Sequence, residues 1–188
     1  MLTDYRDFVL LKASPSRPIP ESHFHLTHAC LGLTTEYLEL ILSTSRENTE
    51  EELGDFLWYL ILTAHALEFN IDNLPLEVPP KERKSLTIKT LGDMLENFIS
   101  LCKKEIIYGN PQQGVLITCF FGLWREFLFH LQSCEFPLDL CLVQNKEKLN
   151  KRYQATFSQE EAAERKDKQW LVDSQLSSTE QKVLVKHH

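Results

Sequence analysis

Apolar residues recur at positions 26, 30, 33, 37, 40 and 41, the spacing that lines one face of an α-helix. This predicts a helix over about 26–42. The polar break at 43–48 is short. Thr49 followed by Glu52 has capping-box spacing, so a second helix is expected from there to about Phe69. The brevity of the break makes it the antiparallel partner of the first. Residues 2–12 read as a short opening helix, set off by the proline-bearing loop 14–21. A second proline-bearing connection at 70–83 leads to a third helix over about 87–107, stopped by Tyr108-Gly109-Asn110-Pro111. A fourth covers 113–134 and a fifth 138–152. Residues 158–168 read as a short charged helix with a further capping pair, Ser158 and Glu161.

The pattern predicts an all-α fold: an antiparallel bundle of four core helices with short flanking helices. One domain is expected over 1–170, with a first hairpin at 26–70, a second at 87–134 and a closing segment at 138–168. Residues 171–188 read as a polar, frayed tail. A faint internal echo joins the halves. Glu68-Phe69-Asn70-Ile71-Asp72 resembles Glu135-Phe136-Pro137-Leu138-Asp139, and Glu36…Glu39 resembles Asp93…Glu96. Duplication would produce this, and so would chance likeness between amphipathic helices.

Composition supports helices. The 188 residues include 31 leucines, 7 valines and 6 glycines, and leucine loses little rotamer freedom in a helix while β-branched residues favour strands. The net charge of −7 disfavours binding to a nucleic-acid backbone, which needs a surplus of lysine and arginine. The five cysteines form no CxxC pair, so free thiols in a reducing compartment are expected rather than a zinc or disulfide framework. The N-terminus lacks a basic stretch before an apolar one, and the apolar run 53–67 is too short to span a bilayer. A cytoplasmic protein with no membrane partner is the expectation.

The candidate chemistry lies in the first hairpin. Glu36 and Glu39 are three residues apart and share a helical face; Glu52 and Asp55 repeat that spacing on the next helix. Asp55 is the one formally charged residue in the run LGDFLWYLILTAHAL (53–67). Taken alone, Glu52 is explained as the capping partner of Thr49, and Glu36 or Glu39 as solvated surface groups. Taken together, four carboxylates on antiparallel neighbours would repel and raise one another's pKa unless a cation sits among them. A hard divalent ion such as Mg²⁺, with Mn²⁺ as substitute, suits oxygen ligands and keeps positions open for water and phosphate. Neutralising Asp55 is then expected to relieve repulsion. His23, His25 and His28 have no adjacent carboxylate ligand and read as capping and packing groups. The chain contains no phosphate-binding glycine loop and no nucleophile elbow.

The segments HACLGLTTEYLEL (28–40) and ENTEEELGDFLWYL (47–60) resemble the all-α nucleoside triphosphate pyrophosphohydrolases, in particular the MazG-like group. A third segment, VQNKEKLNKRYQATFSQEEAAER (143–165), is similar to that family's terminal pattern. The resemblance implies that Glu36, Glu39, Glu52 and Asp55 bind Mg²⁺. It also implies that Asn145, Lys148 and Arg152, with Tyr153 beside them, contact a nucleotide. The departure is residues 71–142, which separate pieces nearly adjacent in compact members. There, CKKEIIYGNP (102–111) resembles a turn that compact members place between their acidic helices, which brings Lys103 and Lys104 forward as further phosphate contacts. Cys119 and Gly122 stand where a second copy would need Glu and Asp, so a single site per chain is expected, in a monomer or homodimer.

Mg²⁺-dependent hydrolysis of a nucleoside triphosphate to monophosphate and pyrophosphate is the leading expectation, with Glu36 orienting or deprotonating the water. A noncatalytic helical binding protein is the rival, and a dUTPase-like or phosphoribosyl-ATP-type specificity stays open within the enzyme class.

Overall fold

The helix carrying the first acidic pair begins at Glu21 rather than at about 26, so His23, His25 and His28 lie within its opening turns instead of at a loop junction. The computed structural model describes residues 2–12, 21–77, 88–108 and 112–153. Those residues are 87% helical, with six helices and no strand among them. The helices are α1 (Leu2–Lys12), α2 (Glu21–Leu42), α3 (Arg46–Ala66), α4 (Ile88–Tyr108), α5 (Gln113–Ser133) and α6 (Leu138–Arg152), with one 3₁₀ turn at Ile71–Asn73. The fold is an all-α helical bundle. The helix expected at 158–168, with Phe157 and Ser158, and the tail 171–188 lie outside the described residues.

The start of α3 differs from the capping-box expectation. Ser45, not Thr49, is the cap: its hydroxyl accepts the Asn48 backbone N–H at 3.1 Å, satisfying one of the donors a helix start leaves open. Thr49 instead donates its own hydroxyl to the Ser45 carbonyl at 2.9 Å. Glu52 is therefore freed of a capping role and lies two turns into the helix, 5% exposed.

Both hairpins end in the same turn. After α3, Leu67, Glu68 and Phe69 return their N–H groups to Thr63, His65 and Ala64; after α5, Cys134, Glu135 and Phe136 do so to His130, Gln132 and Leu131. Glu68 (φ 54°) and Glu135 (φ 52°) occupy the left-handed region, where a residue with a Cβ is strained by roughly 1 kcal/mol. The echo between 68–72 and 135–139 is thus a likeness of backbone as well as of sequence.

The hairpins α2–α3 and α4–α5 pack on each other, chiefly through α2 against α4; α6 lies on α3, and α1 covers α3, the 3₁₀ turn and α6. Phe56 and Phe127 stack at 5.8 Å between ring centroids, with Leu33, Leu57, Phe98, Phe120 and Trp124 buried around them. Trp124 Nε1 donates to the Pro75 carbonyl at 2.8 Å, tying the 3₁₀ connection to α5. By length and composition alone α5 would cross a membrane, but half of its apolar window is buried in the bundle. All five cysteines are free thiols.

In the second hairpin, the position where a duplicated copy would need an aspartate, Gly122, is closed by packing. A Cβ at Gly122 would stand 2.2 Å from Met94 Cε, so the methionine occupies the space a carboxylate there would need. Cys119 directs its thiol to the Met94 carbonyl at 4.0 Å. Asp93 and Glu96 are exposed on α4.

Candidate metal centre and adjoining pocket

The three-residue spacing on α2 and the antiparallel approach of α3 bring carboxylate oxygens of Glu36, Glu39 and Glu52 within 4.8 Å of one another. Glu39 is exposed, Glu36 half-buried and Glu52 buried. Burial, followed by the charge of Asp55 and then Glu39, pushes the Glu36 carboxyl up to about 8. The same two leading causes push Glu52 up to about 7. Crowded acids of this kind hold protons near neutrality unless a cation replaces them. Their oxygen-only donor set, converging from two rigid helices, fits a hard divalent ion.

Asp55 differs from the expectation of a fourth, uncompensated carboxylate. Its Oδ1 accepts from Asn145 Nδ2 at 2.7 Å and its Oδ2 is bonded to the Lys148 ammonium. Lys148 also reaches Glu51 at 3.4 Å. Asp55 therefore lies beside the trio as a paired anion. Neutralising Asp55 would still relieve Glu36 and Glu52 of their leading charged neighbour, but it would also break the bonds to Asn145 and Lys148.

Gly54 makes this arrangement possible. A Cβ there would stand 3.1 Å from Asn145 Cβ and 3.3 Å from its Nδ2, so the bare backbone lets α6 lie against α3 next to Asp55. Gly54→Ala is expected to push α6 outward by a few tenths of an ångström. It should weaken Mn²⁺ binding several-fold in calorimetry, although alanine is about 1 kcal/mol better than glycine inside a helix. Unchanged affinity in a stabilised variant would show that the close approach is incidental.

Beside the trio is a pocket of about 110 Å³ lined by His28, Glu36, Asp55, Trp58, Tyr59, Leu149, Arg152 and Tyr153. His28 meets Trp58 and Tyr59 edge-on, with centroids 5.7 and 5.6 Å away. Burial, then the neighbouring His25, lowers the His28 pKa and keeps the ring neutral. Burial, then Glu36, raises the Tyr59 phenol and keeps it protonated. Trp58 is 8% exposed; its Nε1 and His28 Nδ1 are buried without a hydrogen-bond partner among the described residues. A buried donor lacking an acceptor costs about 1–3 kcal/mol.

The expected phosphate contacts separate in space. Asn145, Lys148, Arg152 and Tyr153 come to the site on α6 and its end. Asn145 is buried and engaged at both ends of its amide, a positioning arrangement rather than an open contact. Lys103 and Lys104 are exposed on α4 and are absent from the pocket lining; Lys103 instead lies 5.9 Å from the Tyr108 ring centroid. In the sequence Trp58 reads as a core aromatic with stacking on a base as its alternative, and His28 as a capping and packing group. A larger crevice of about 590 Å³, between Leu76, Leu131, Phe136 and Leu138, contains none of the three converging glutamates.

The raised Glu36 and Glu52 values set a pH dependence. Both folded-state values exceed the usual 4.5, so the folded protein binds more protons than the unfolded chain between about pH 4.5 and 8. Their contribution is fully present below about 4.5 and is lost as pH rises through 7 to 8. In chelator, thermal unfolding is expected at a lower temperature at pH 8.5 than at pH 6, and saturating Mn²⁺ should remove most of that slope. A melting temperature flat across this range without metal would contradict the crowding.

Neither a scan of family models nor searches of curated proteins and of solved structures returned a match to this chain.

Proposed function

We propose that this protein is a divalent-cation-dependent nucleoside triphosphate pyrophosphohydrolase, releasing a monophosphate and pyrophosphate. The observation that carries the reading is the convergence of Glu36, Glu39 and Glu52 beside a base-sized pocket with aromatic walls and an arginine from α6. The resemblance of 28–40, 47–60 and 143–165 to the MazG-like family supports the same reading.

Glu36, Glu39 and Glu52 would hold Mg²⁺ or Mn²⁺, with Asp55 adding negative charge behind them. The ion supplies Lewis acidity toward the α-phosphoryl group and acidifies a water molecule. Glu36 lines the pocket as well as belonging to the trio, so it is the carboxylate placed to orient that water and accept its proton. Arg152 lines the pocket from α6 and would neutralise charge gathering on the pyrophosphate leaving group, while Lys148, bonded to Asp55 and Glu51, would offset the acids beside it. His28, Trp58 and Tyr59 offer ring faces and edges to a base. The partnerless Trp58 Nε1–H and the neutral His28 favour a base that presents acceptors.

The test is a panel of ribo- and deoxynucleoside triphosphates incubated with Mg²⁺, with monophosphate and pyrophosphate quantified. At least one substrate is expected to give the two products in equal amounts, and chelator should stop the reaction. Orthophosphate with diphosphate as products, or no turnover on any nucleotide with either Mg²⁺ or Mn²⁺, would refute it.

A further inference from the structure

We propose that Tyr5, on the opening helix, is a positioning residue for the carboxylate site, acting through Asn145 on Asp55. This rests on the metal-site reading above. α1 lies in the crevice between α3 and α6, anchored by Phe8 and the fully buried Val9. Within that interface Tyr5 is 3% exposed and Asn145 3%. The Tyr5 hydroxyl donates to Asn145 Oδ1, and Asn145 Nδ2 donates to Asp55 Oδ1 at 2.7 Å. Three helices contribute one link each.

The chain of bonds has a direction. A carboxylate only accepts, so Asn145 must present its NH₂ to Asp55. Its carbonyl then faces away and needs a donor, which in this buried place is the Tyr5 hydroxyl. With Tyr5 removed, the amide has no donor among the described residues holding it in the orientation Asp55 requires. A turned amide would set a carbonyl oxygen against a carboxylate. Burial keeps the Tyr5 phenol protonated, so the donor is always available.

The aim of Asp55 matters to its neighbours. Asp55 and Glu36 line the same pocket, and Glu36 converges with Glu39 and Glu52. A rotation of Asp55 changes the field at the proposed metal ligands, and α6 carries Lys148 and Arg152 along with Asn145. Hydrogen-bond partners of metal ligands commonly alter affinity by about 10- to 100-fold, and Asp55, one step behind the trio, passes on a smaller share.

Mn²⁺ alone, titrated by calorimetry into the full chain, tests the proposal. Tyr5→Phe removes one oxygen and is expected to weaken Mn²⁺ by about 5-fold, below the range seen for direct partners of ligands. Asn145→Ala should weaken it at least as much, and the double variant no more than Asn145→Ala, because both act through one route. Val9→Ala, on the same helix but outside the relay, should lower thermal stability and leave affinity within about 2-fold of the parent. Unchanged affinity in Tyr5→Phe, additive losses in the double variant, or an equal loss in Val9→Ala would overturn the relay. A parent that binds no Mn²⁺ would overturn the relay and the site together. If no nucleotide is hydrolysed while affinity still follows Tyr5, the relay stands and the proposed hydrolysis falls.

Discussion

Glu36→Gln is expected to cut metal-dependent pyrophosphate release by about 100-fold or more while making the metal-free protein harder to unfold at pH 9. The two effects share one cause. Glu36 belongs to the convergent trio and borders the pocket, so an amide loses both the proposed metal ligand and the proposed proton acceptor. In chelator, the ionised carboxylate is opposed first by burial and then by Asp55, Glu39 and Glu52. A neutral amide of the same shape escapes that opposition. After solvent screening of a half-buried group, the gain is about 1–2 kcal/mol, or about 2–8 °C in melting temperature. Calorimetry in chelator and a pyrophosphate assay in Mg²⁺ measure the two arms. Near-parent turnover would remove Glu36 from the mechanism, and a lower melting temperature would show that its charge is compensated.

Asp55→Asn is expected to behave in the opposite sense for stability. Its carboxylate receives Asn145 Nδ2 on one oxygen and Lys148 on the other. The pair is largely enclosed, with side-chain exposures of 15% for Lys148 and 19% for Asp55. An asparagine offers one acceptor and turns an NH₂ toward a second donor, leaving Lys148 with only the longer link to Glu51. Breaking such a pair on one side costs about 2 kcal/mol when it is not fully buried, equivalent to a fall of about 4–8 °C. Turnover should also fall steeply, because Lys148 loses its anchor and the trio its neighbouring charge. A melting temperature at or above the parent's would show the ion pair to be dispensable and would restore the view of Asp55 as an uncompensated charge.

These two outcomes also mark where the sequence was legible. Helical spacing was enough to place Glu36 with Glu39 and Glu52 with Asp55, since residues three apart share a face whatever surrounds them. The short break at 43–48 was enough to set the two pairs opposite each other. Helix ends at 108 and near 134 followed from Gly-Asn-Pro and Glu-Phe-Pro signals that act locally. The cap of α3 was misplaced because Ser45 and Thr49 offer the same hydroxyl, and spacing to a glutamate favoured the wrong one. The pairing of Asp55 with Lys148 spans 93 positions and that of Tyr5 with Asn145 spans 140. No local pattern encodes a meeting at such separations. Gly54 carried a signal in retrospect: a glycine inside a good helix lowers helix propensity and needs a packing reason, here Asn145. Lys103 and Lys104 were drawn in by the likeness of a turn, whereas the path of α4 leaves them exposed, outside the pocket lining.

The distance along the chain between the acids and their cation bears on how the molecule is made. Synthesis delivers the N-terminus first, so Glu36, Glu39, Glu52 and Asp55 all exist before α6 does. Until Lys148 and Asn145 arrive, these four carboxylates face one another with no lysine from α6 among them, and α3 has no α6 to cover it. The α2–α3 hairpin joins sequence neighbours and can close early, whereas the packing of α6 on α3 must wait for most of the polypeptide. During that interval, free divalent ions in the surrounding medium are the natural temporary partners for the acids. Refolding started in millimolar Mg²⁺ would then outpace refolding in chelator, with the ion acting as a folding aid before it serves any chemistry.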